Sequence, residues 1–307
     1  MQLPLNLRNA LDRELQGVSL ADLTKASQLI TDHYRAGKPA RLTTLTEQHA
    51  YVAARMPATY AAVHAALAQC SLAPRTLLDL GAGPGTVTWA AQQIFPSLVE
   101  ARHVEYNRAL AQMGERLGSP LPVTWLIEDL AKAVERPPAD LVVLSYALNE
   151  VSSRGLVEQA WQSTTMLLAI VEPGTPSGFK LVRAARDWLL AQGGYVIAPC
   201  PHAAPCPIIA GDWCHFAARV QRTSLHRRMK GAELGYEDEK FSYVLMARES
   251  VIPAQARIIR HPQHKSGYVQ LELCTRDGLQ RSNSPKSAGA THRAARKATW
   301  GDPWEPG

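Results

Sequence analysis

Four of the five cysteines lie in the second half of the chain, at Cys200, Cys206, Cys214 and Cys274. Thiolates bind soft and borderline metals, and four of them complete a tetrahedral zinc site or a cubane iron–sulfur cluster. Five residues separate Cys200 from Cys206 and seven separate Cys206 from Cys214, whereas zinc knuckles have about two to four. The wide spacing, and a Cys206-Pro207 pair like that of bacterial ferredoxins, favour an iron–sulfur cluster.

Two alternatives remain open for these cysteines. His202 and His215 lie among them, and imidazole is a good zinc ligand, so structural zinc is the second candidate. The thiols could also be buried and unligated. Cys70 stands apart in the sequence and is predicted to be an ordinary small apolar residue.

A glycine-rich segment, 79–86, follows a predicted strand and precedes a predicted helix. Its glycines allow a tight turn and a close approach of the backbone to a ligand. A dinucleotide fingerprint would need glycine where Thr86 stands. An acid followed by three alternating glycines is instead similar to the first motif of class I S-adenosylmethionine-dependent methyltransferases. This resemblance implies that the methyl donor binds at Asp79, Gly81, Gly83 and Gly85.

Two further acids stand at the ends of predicted strands. Glu105 ends the second strand, where a carboxylate can accept both hydroxyls of a ribose. Asp129 follows the third strand, where the methyltransferase resemblance implies contact with the adenine amine. The alternative is a glycine-rich turn with incidental acids, but acids at three successive strand ends favour donor binding.

The catalytic residues cannot be assigned from the sequence. The fourth predicted strand ends in segment 145–150, without the Asn/Asp-Pro-Pro-Tyr/Phe step of enzymes that methylate base amines. Asn149 and Glu150 are either substrate contacts or a helix start. The Pro-Cys pairs at Cys200 and Cys206 resemble the nucleophile of 5-methylcytosine enzymes, but they lie beyond the fifth strand among other cysteines.

Hydrophobic periodicity predicts the elements that position these residues. Apolar side chains recur at helical spacing over 19–35 and 47–67, and Pro57 is expected to break the second helix. Strands alternating with helices then predict a parallel sheet. The predicted strands are 76–80, 100–106, 124–127, 140–146, 166–171 and 241–247, followed by a hairpin over 257–274.

These patterns predict an α/β protein: a Rossmann-like class I methyltransferase sheet, an N-terminal helical region and a C-terminal cysteine-ligated metal-cluster subdomain. The predicted units are a helical region at 1–70, a donor-binding domain at 71–198 completed by 241–248, a cysteine-rich iron–sulfur subdomain with its hairpin at 199–275, and a basic tail at 276–307. By composition the tail would be flexible if it stood alone.

Charge and hydrophobic composition indicate what kind of partner and location to expect. The 33 Lys and Arg exceed the 27 Asp and Glu by 6, a surplus compatible with a polyanionic partner. No apolar run approaches the roughly 18 residues of a membrane helix, and no secretory signal is visible. We therefore expect no membrane contact and a cytoplasmic location, where clustered cysteines are more often ligands than disulfides. Nothing in the sequence indicates an oligomeric state.

Together, the motifs resemble a known family, the mitochondrial small-ribosomal-subunit methyltransferase-like proteins and their bacterial relatives. The resemblance covers most of the chain and is most specific around the cysteines. It is carried by segments 55–61, 78–86, 172–176, 200–207, 212–216, 237–243 and 295–302.

The resemblance implies that the four cysteines hold a 4Fe–4S cluster and that the protein engages the small ribosomal subunit and its ribosomal RNA. Basic residues after Cys214 and in the tail would then meet phosphates, with Trp300 able to stack on a base. They are Arg219, Arg222, Arg227, Arg228, Lys230, Arg293, Arg296 and Lys297. Two functions remain open: methyl transfer to ribosomal RNA, or ribosome assembly without transfer.

Overall fold

The computed structural model describes residues 1–35, 42–132, 134–149, 151 and 153–305. The helices are α1 (Leu5–Glu14), α2 (Leu20–Arg35), α3 (Leu45–Leu67), α4 (Thr86–Ile94), α5 (Arg108–Leu117), α6 (Ser153–Ser163), α7 (Pro176–Ala191), α8 (Ser224–Lys230) and α9 (Ala290–Lys297). The strands are β1 (Thr76–Leu80), β2 (Glu100–Val104), β3 (Val123–Leu126), β4 (Ala139–Ser145), β5 (Thr164–Pro173), β6 (Tyr195–Ala198), β7 (Phe216–Gln221), β8 (Tyr236–Ala247), β9 (Ala256–Ile258), β10 (Gln263–His264), β11 (Tyr268–Thr275), β12 (Gly278–Pro285) and β13 (Pro303–Trp304).

The large sheet has the strand order β3-β2-β1-β4-β5-β8-β6, and β7 also pairs with β8. The strands from β3 to β5 are parallel, whereas β8 runs antiparallel to β5, β6 and β7. Strands β1 and β4 are buried on both faces, which explains their nearly continuous apolar sequences. The predicted α/β Rossmann-like sheet is confirmed, and its order reverses beside β1, where such sheets bind ligands.

The N-terminal helices pack on this sheet. Thr44 and Glu47 form a capping box that fixes the start of α3. The predicted break at Pro57 is wrong, because α3 runs from Leu45 to Leu67 without interruption. An internal proline costs about 3 kcal/mol, and burial of most of α3 against α4 and the large sheet offsets that cost. Within the described residues, no helix has the length and apolar character needed to cross a membrane.

The C-terminal residues form a second, smaller sheet. Its order is β10-β11-β9-β13, with β12 paired along the other edge of β11. The predicted hairpin is thus one part of a larger unit, whose core includes Ile258, Leu271 and Trp304. The tail does not stand alone, because β12, α9 and β13 all belong to this unit.

Candidate functional site

The glycine loop turns tightly from β1 into α4 at the carboxyl edge of the large sheet. Gly81 has φ +83°, and a Cβ there would lie 3.2 Å from the Cβ of Ala147. Gly85 has φ +79°, and its Cβ would lie 2.9 Å from the His103 ring. Positive φ and tight packing both require glycine at these positions. The loop therefore has the close backbone turn that the sequence pattern predicted.

Asp79 is the last residue but one of β1, two residues before Gly81 of this loop, and is completely buried. Neither of its carboxylate oxygens has a hydrogen-bond partner among the described residues. Burial, reinforced by nearby Glu105, raises the pKa of Asp79 well above its ordinary value. A buried carboxylate without a partner is costly, and a cationic group such as the amine of a methyl donor would relieve that cost.

Glu105 links the end of β2 to the glycine loop. Its Oε2 accepts a hydrogen bond from the Gly83 amide at 2.8 Å, and its Oε1 accepts one from the Asn107 amide at 2.8 Å. Burial raises the pKa of Glu105, although these backbone donors oppose the shift. A carboxylate has further lone pairs beyond these two, so the predicted ribose contact stays a prediction.

Asp129 lies in a different setting from the other two acids. It is exposed, and its Oδ1 accepts a hydrogen bond from the Ala131 amide at 2.9 Å. The neighbouring Leu130 faces the loop instead, 3.4 Å from the Cβ position of Gly81. The loop after β3 therefore presents an apolar surface beside the glycines, and the adenine contact of Asp129 stays a prediction.

The end of β4 carries a polar cluster that sequence reasoning missed. Tyr146 has φ 59°, a left-handed conformation that is uncommon for a residue with a side chain. Its hydroxyl donates to Glu239 Oε1 at 2.9 Å, and Arg55 Nη2 lies 3.0 Å from the same oxygen. Arg55 and Glu239 are 184 residues apart, so no local pattern in the sequence could have joined them.

The neighbouring residues on this edge are also held internally. Glu172 is fully buried and accepts from the Leu148 amide and the Asn149 side-chain amide, both at 2.8 Å. Asn149 was a candidate substrate contact, and this bond commits one of its donors. Glu150, the second candidate, lies outside the described residues. Nothing here identifies a catalytic base.

The structure brings the four predicted cysteine ligands to the wall of one cavity. Burial raises the pKa of Cys214 well above its ordinary value, and Cys200, Cys206 and Cys274 each raise it further. Burial likewise raises the pKa of Cys274 to about 12, again reinforced by Cys200 and Cys206. All four thiols therefore share one buried wall of the fold.

The cavity is not a preformed site for a single ion. Among the residues that the structure describes, no three His, Cys, Asp or Glu side chains are placed to hold one metal ion. The predicted cysteine-ligated metal subdomain is therefore not confirmed, and neither iron–sulfur nor zinc ligation is observed. Cys70 lies apart, as predicted, in the core between the N-terminal helices and the large sheet.

The two histidines of this region differ in their relation to the thiols. His202 Nε2 lies 3.7 Å from the Cys274 sulfur. His215 instead packs in an aromatic group, with its ring 5.2 Å from that of Trp213 and 4.8 Å from that of Trp300. Trp300 also contacts His261 at 4.7 Å and lies against the main core. Trp300 is half-buried in this aromatic group, and its predicted stacking on a base stays a prediction.

The predicted basic groups divide into paired and unpaired side chains. Arg219 lies 2.8 Å from Asp238, while Arg222 and Lys230 lie 3.0 and 3.1 Å from Glu237. Three others on α9 are exposed and form no hydrogen bond or ion pair with any described residue. They are Arg293, Arg296 and Lys297, which share one face by helical spacing.

The sheet order, the glycine loop and the acids after β1 and β2 define an α/β protein with a methyltransferase-like Rossmann fold. A family model described as mitochondrial small ribosomal subunit Rsm22 matches residues 45–305. The chain belongs to this family.

Two curated relatives are similar over most of the chain. The human mitochondrial ribosome assembly protein METTL17 is 30% identical over 289 residues, covering 82% of this chain and 61% of that protein. The mitochondrial Rsm22-cox11 tandem protein 2 of Schizosaccharomyces pombe is 26% identical over 352 residues, covering 92% of this chain and 46% of that protein. The chain thus spans about half to three-fifths of these relatives' lengths.

Solved methyltransferase structures are more distant. Magnesium protoporphyrin IX methyltransferase from Synechocystis PCC 6803, with bound SAH, has a TM-score of 0.41 and 12% identity, covering 74% of this chain and 100% of that chain. Precorrin-6y C5,15-methyltransferase from Geobacter metallireducens GS-15 has a TM-score of 0.41 and 15% identity, covering 61% and 87%. At these values the likeness carries no conclusion about function.

Proposed function

We propose that this protein binds S-adenosylmethionine at the glycine loop and acts on, or binds, small-subunit ribosomal RNA during ribosome assembly. The buried, unpartnered carboxylate of Asp79 beneath the loop is the observation that carries the donor assignment. Ionised, it would attract the amine of the donor, and Glu105 would hold the loop in shape through Gly83. The ribosomal part of the proposal is supported by family membership and by the names of the relatives.

The RNA surface in this proposal is the outer face of α9. Arg293, Arg296 and Lys297 project there without carboxylate partners among the described residues. Contacts with phosphates are most favourable for unpaired guanidinium and ammonium groups, because no internal ion pair must be broken first. The exposed Arg227 and Arg228 on α8 would add to this charge.

We further propose that the cysteine cavity holds a 4Fe–4S cluster, with zinc as the alternative metal. The support is the donor set: four thiols on one cavity and buried arginines in its wall. Because no three ligands are placed to share an ion, loading would require the thiol side chains to turn towards a common centre. Such a cluster would stabilise the segment from Cys200 to Cys214 against the small sheet.

The residues at the end of β4 bear on the choice between two functions, methyl transfer and ribosome assembly without transfer. The donor supplies a methyl group on a sulfonium, so an active protein would need chiefly to align the acceptor in line with the breaking bond. The Tyr146 hydroxyl is bonded to Glu239, and one donor of the Asn149 amide is bonded to Glu172. These internal bonds leave fewer groups to contact an acceptor, which supports the second function, an assembly factor that binds donor and RNA without transfer.

Labelling of immature small subunits with tritiated donor separates the two functions. An active protein should label the subunit RNA, and Glu105→Ala should reduce the label to background. Glu100→Ala is the matched control, since Glu100 is an exposed residue at the start of β2, the strand that Glu105 follows, and its carboxylate lies 3.4 Å from Arg102. Binding to the particle without label from wild-type protein would leave the assembly-factor function alone.

The salt dependence of binding to a small-subunit RNA fragment tests the α9 surface. Each glutamine substitution of Arg293, Arg296 or Lys297 should lower the salt slope by about 1. Arg154→Gln is the control, because Arg154 is an exposed residue of α6 at 3.3 Å from Glu158. An unchanged slope in the triple variant would place the RNA surface elsewhere.

A further inference from the structure

Two arginines are buried in the wall of the cysteine cavity. Arg186 on α7 and Arg257 on β9 are each 3% exposed, and both line the cavity together with the four thiols. They approach it from opposite units of the fold, one from the large sheet's helix layer and one from the small sheet. Neither residue was singled out as functional by its sequence context.

Most of the acceptors around these guanidiniums are neutral. Arg186 Nη2 donates to the carbonyls of His202 and Ala204 at 2.8 and 2.9 Å. Arg257 Nε donates to the Pro199 carbonyl at 3.0 Å, and its Nη1 donates to the Gly301 carbonyl at 3.0 Å. A further Arg257 bond goes to the amide oxygen of Gln69. Two of these carbonyls lie within the segment from Cys200 to Cys214 and Pro199 immediately precedes it, so the arginines fix its path.

The charge of these arginines is not fully balanced by carboxylates. Arg186 Nη1 donates to Asp187 at 2.7 Å, but the Asp187 side chain is 49% exposed and is therefore screened by water. Arg186 Nε is buried without a hydrogen-bond partner among the described residues. Because arginine does not give up its proton in a protein, a buried guanidinium needs a nearby negative charge.

The groups best placed to supply that charge are the sulfurs. All four sulfurs line the same cavity as the two arginines, and Cys274 on β11 is the register partner of Arg257 on β9. Four thiolates around a Zn²⁺ ion, or around the doubly positive core of an oxidised 4Fe–4S cluster, keep two negative charges. The buried Arg186 and Arg257, together with the half-buried Arg183 that also lines the cavity, supply positive charge to offset that remainder.

We propose that Arg186 and Arg257 are positioning residues that hold the cysteine segment in its path and offset the net negative charge of a thiolate-ligated metal centre. The inference rests on the metal centre of the proposed function. Outer residues of this kind tune the affinity of metal sites by roughly tenfold to a hundredfold. They would also favour a more reduced cluster, because their positive charge stabilises an added electron.

Reconstitution of the full chain with iron and sulfide under anaerobic conditions tests the inference. Wild-type protein, Arg186→Gln, Arg257→Gln and the charge-retaining Arg186→Lys and Arg257→Lys are compared by iron and zinc content, visible absorption, rate of metal loss to a chelator and reduction potential. Arg248→Gln is the control, because Arg248 donates to the Thr164 carbonyl at 2.8 Å and does not line the cavity.

The glutamine variants should lose metal about tenfold faster than wild type, and their clusters should have a more negative reduction potential. The lysine variants should retain more of the wild-type potential than the glutamine variants, which a purely structural role would not produce. Circular dichroism of the metal-free chains shows whether each variant is folded. If a glutamine variant does not fold, the reduction potential of the lysine variant at the same position is compared with that of wild type instead.

Equal metal retention and potential in wild type, glutamine and lysine variants would overturn the role of the arginines while leaving the metal centre in place. Wild-type protein that takes up neither iron nor zinc would overturn the centre itself, and the inference with it. The two failures are therefore distinguishable in one experiment.

Discussion

The donor loop and the cysteine cavity are buried polar sites of opposite charge. Beneath the loop, Asp79 and Glu105 are buried acids without a cationic partner among the described residues. In the cavity, Arg186 and Arg257 are buried cations, and within the described part of the chain the only carboxylate bonded to them is the half-exposed Asp187. Since uncompensated buried charge is costly, each site indicates the sign of the ligand it suits.

The opposite charges of the donor loop and the cysteine cavity indicate ligands of different chemistry. The acids suit a ligand with positive charge, which agrees with a sulfonium donor that also carries an amine. The arginines suit a centre with net negative charge, which agrees with metal-bound thiolates. The comparison is useful because each site can be disturbed separately and its charge preference measured.

The largest effect is expected from Gly83→Arg at the donor loop. Gly83 has φ +54° and its amide donates to Glu105, so a long side chain here would cover the loop and strain its turn. Affinity for S-adenosylmethionine, measured by calorimetry, should fall at least about a hundredfold, or about 2.7 kcal/mol. Metal uptake by the cysteine cavity should not change.

Gly231→Arg is the matched control for that substitution. Gly231 also has φ +54°, but a Cβ there meets nothing within 4 Å, and it lies after α8. An arginine at Gly231 imposes the same backbone strain as one at Gly83, but away from the donor loop. If both arginine variants lose affinity equally, strain rather than blockage explains the loss, and the loop assignment is not supported.

A second large effect is expected from Cys214→Ala in the cavity. Its thiol lines the cavity together with the other three cysteines, so its loss should remove one ligand of the proposed centre. Bound iron after reconstitution, measured by colorimetric assay, should fall by about half or more because an incomplete set of ligands retains a cluster poorly. Donor affinity should stay at the wild-type value. Unchanged iron would contradict the ligand assignment.

A smaller effect, with a distinctive pH dependence, is expected from Asp79→Asn. Because burial raises the pKa of Asp79 in the folded protein, its proton stabilises the fold below pH 3.8, and that contribution is lost as pH rises through the raised pKa. A cationic donor favours the ionised form, so wild-type affinity should rise with pH above 3.8. The asparagine variant should bind about tenfold more weakly at neutral pH, without that rise.

Asp140→Asn is the control of opposite sign. Partial burial raises the pKa of Asp140, but hydrogen bonds from Arg75, Thr165 and Thr76 outweigh it and hold the pKa below the ordinary value. Its stabilisation is therefore present above pH 3.8 and lost as pH falls. Denaturant unfolding across this range should show Asp140→Asn most destabilising at neutral pH, whereas Asp79→Asn should become relatively more stable as pH rises. Parallel curves would mean that Asp79 is not buried as described.

The sequence was most informative where function depends on local pattern. The glycine loop could be predicted because an acid and three alternating glycines lie within seven residues, and the cysteine cavity because thiols in a Pro-rich segment have few other uses. Arg186 and Arg257 could not be predicted, because their neighbours in sequence read as an ordinary helix and strand. Their role depends on two sheets meeting, a long-range fact that no local spacing encodes.

The same limit explains the break expected at Pro57 and the flexibility expected of the C-terminal tail. Local chemistry predicts a helix break at Pro57, but burial along both sides of α3 outweighs the lost hydrogen bond. Composition predicts a tail that is flexible if it stands alone, but pairing of β13 with β9 brings that segment back onto the core. In both cases tertiary packing overrides the local preference.

The smallest effect is expected from Cys70→Ala, which separates burial of a thiol from its use as a ligand. Cys70 is 9% exposed, and burial raises its pKa as it does for the cavity cysteines. It belongs to the main core, however, and its sulfur accepts only a weak bond from the Leu72 amide at 3.4 Å. Its loss should cost about 1 kcal/mol of unfolding free energy and leave the bound iron unchanged. A loss of iron comparable with that of Cys214→Ala would show that buried thiols in general, rather than those of the cavity, govern iron uptake.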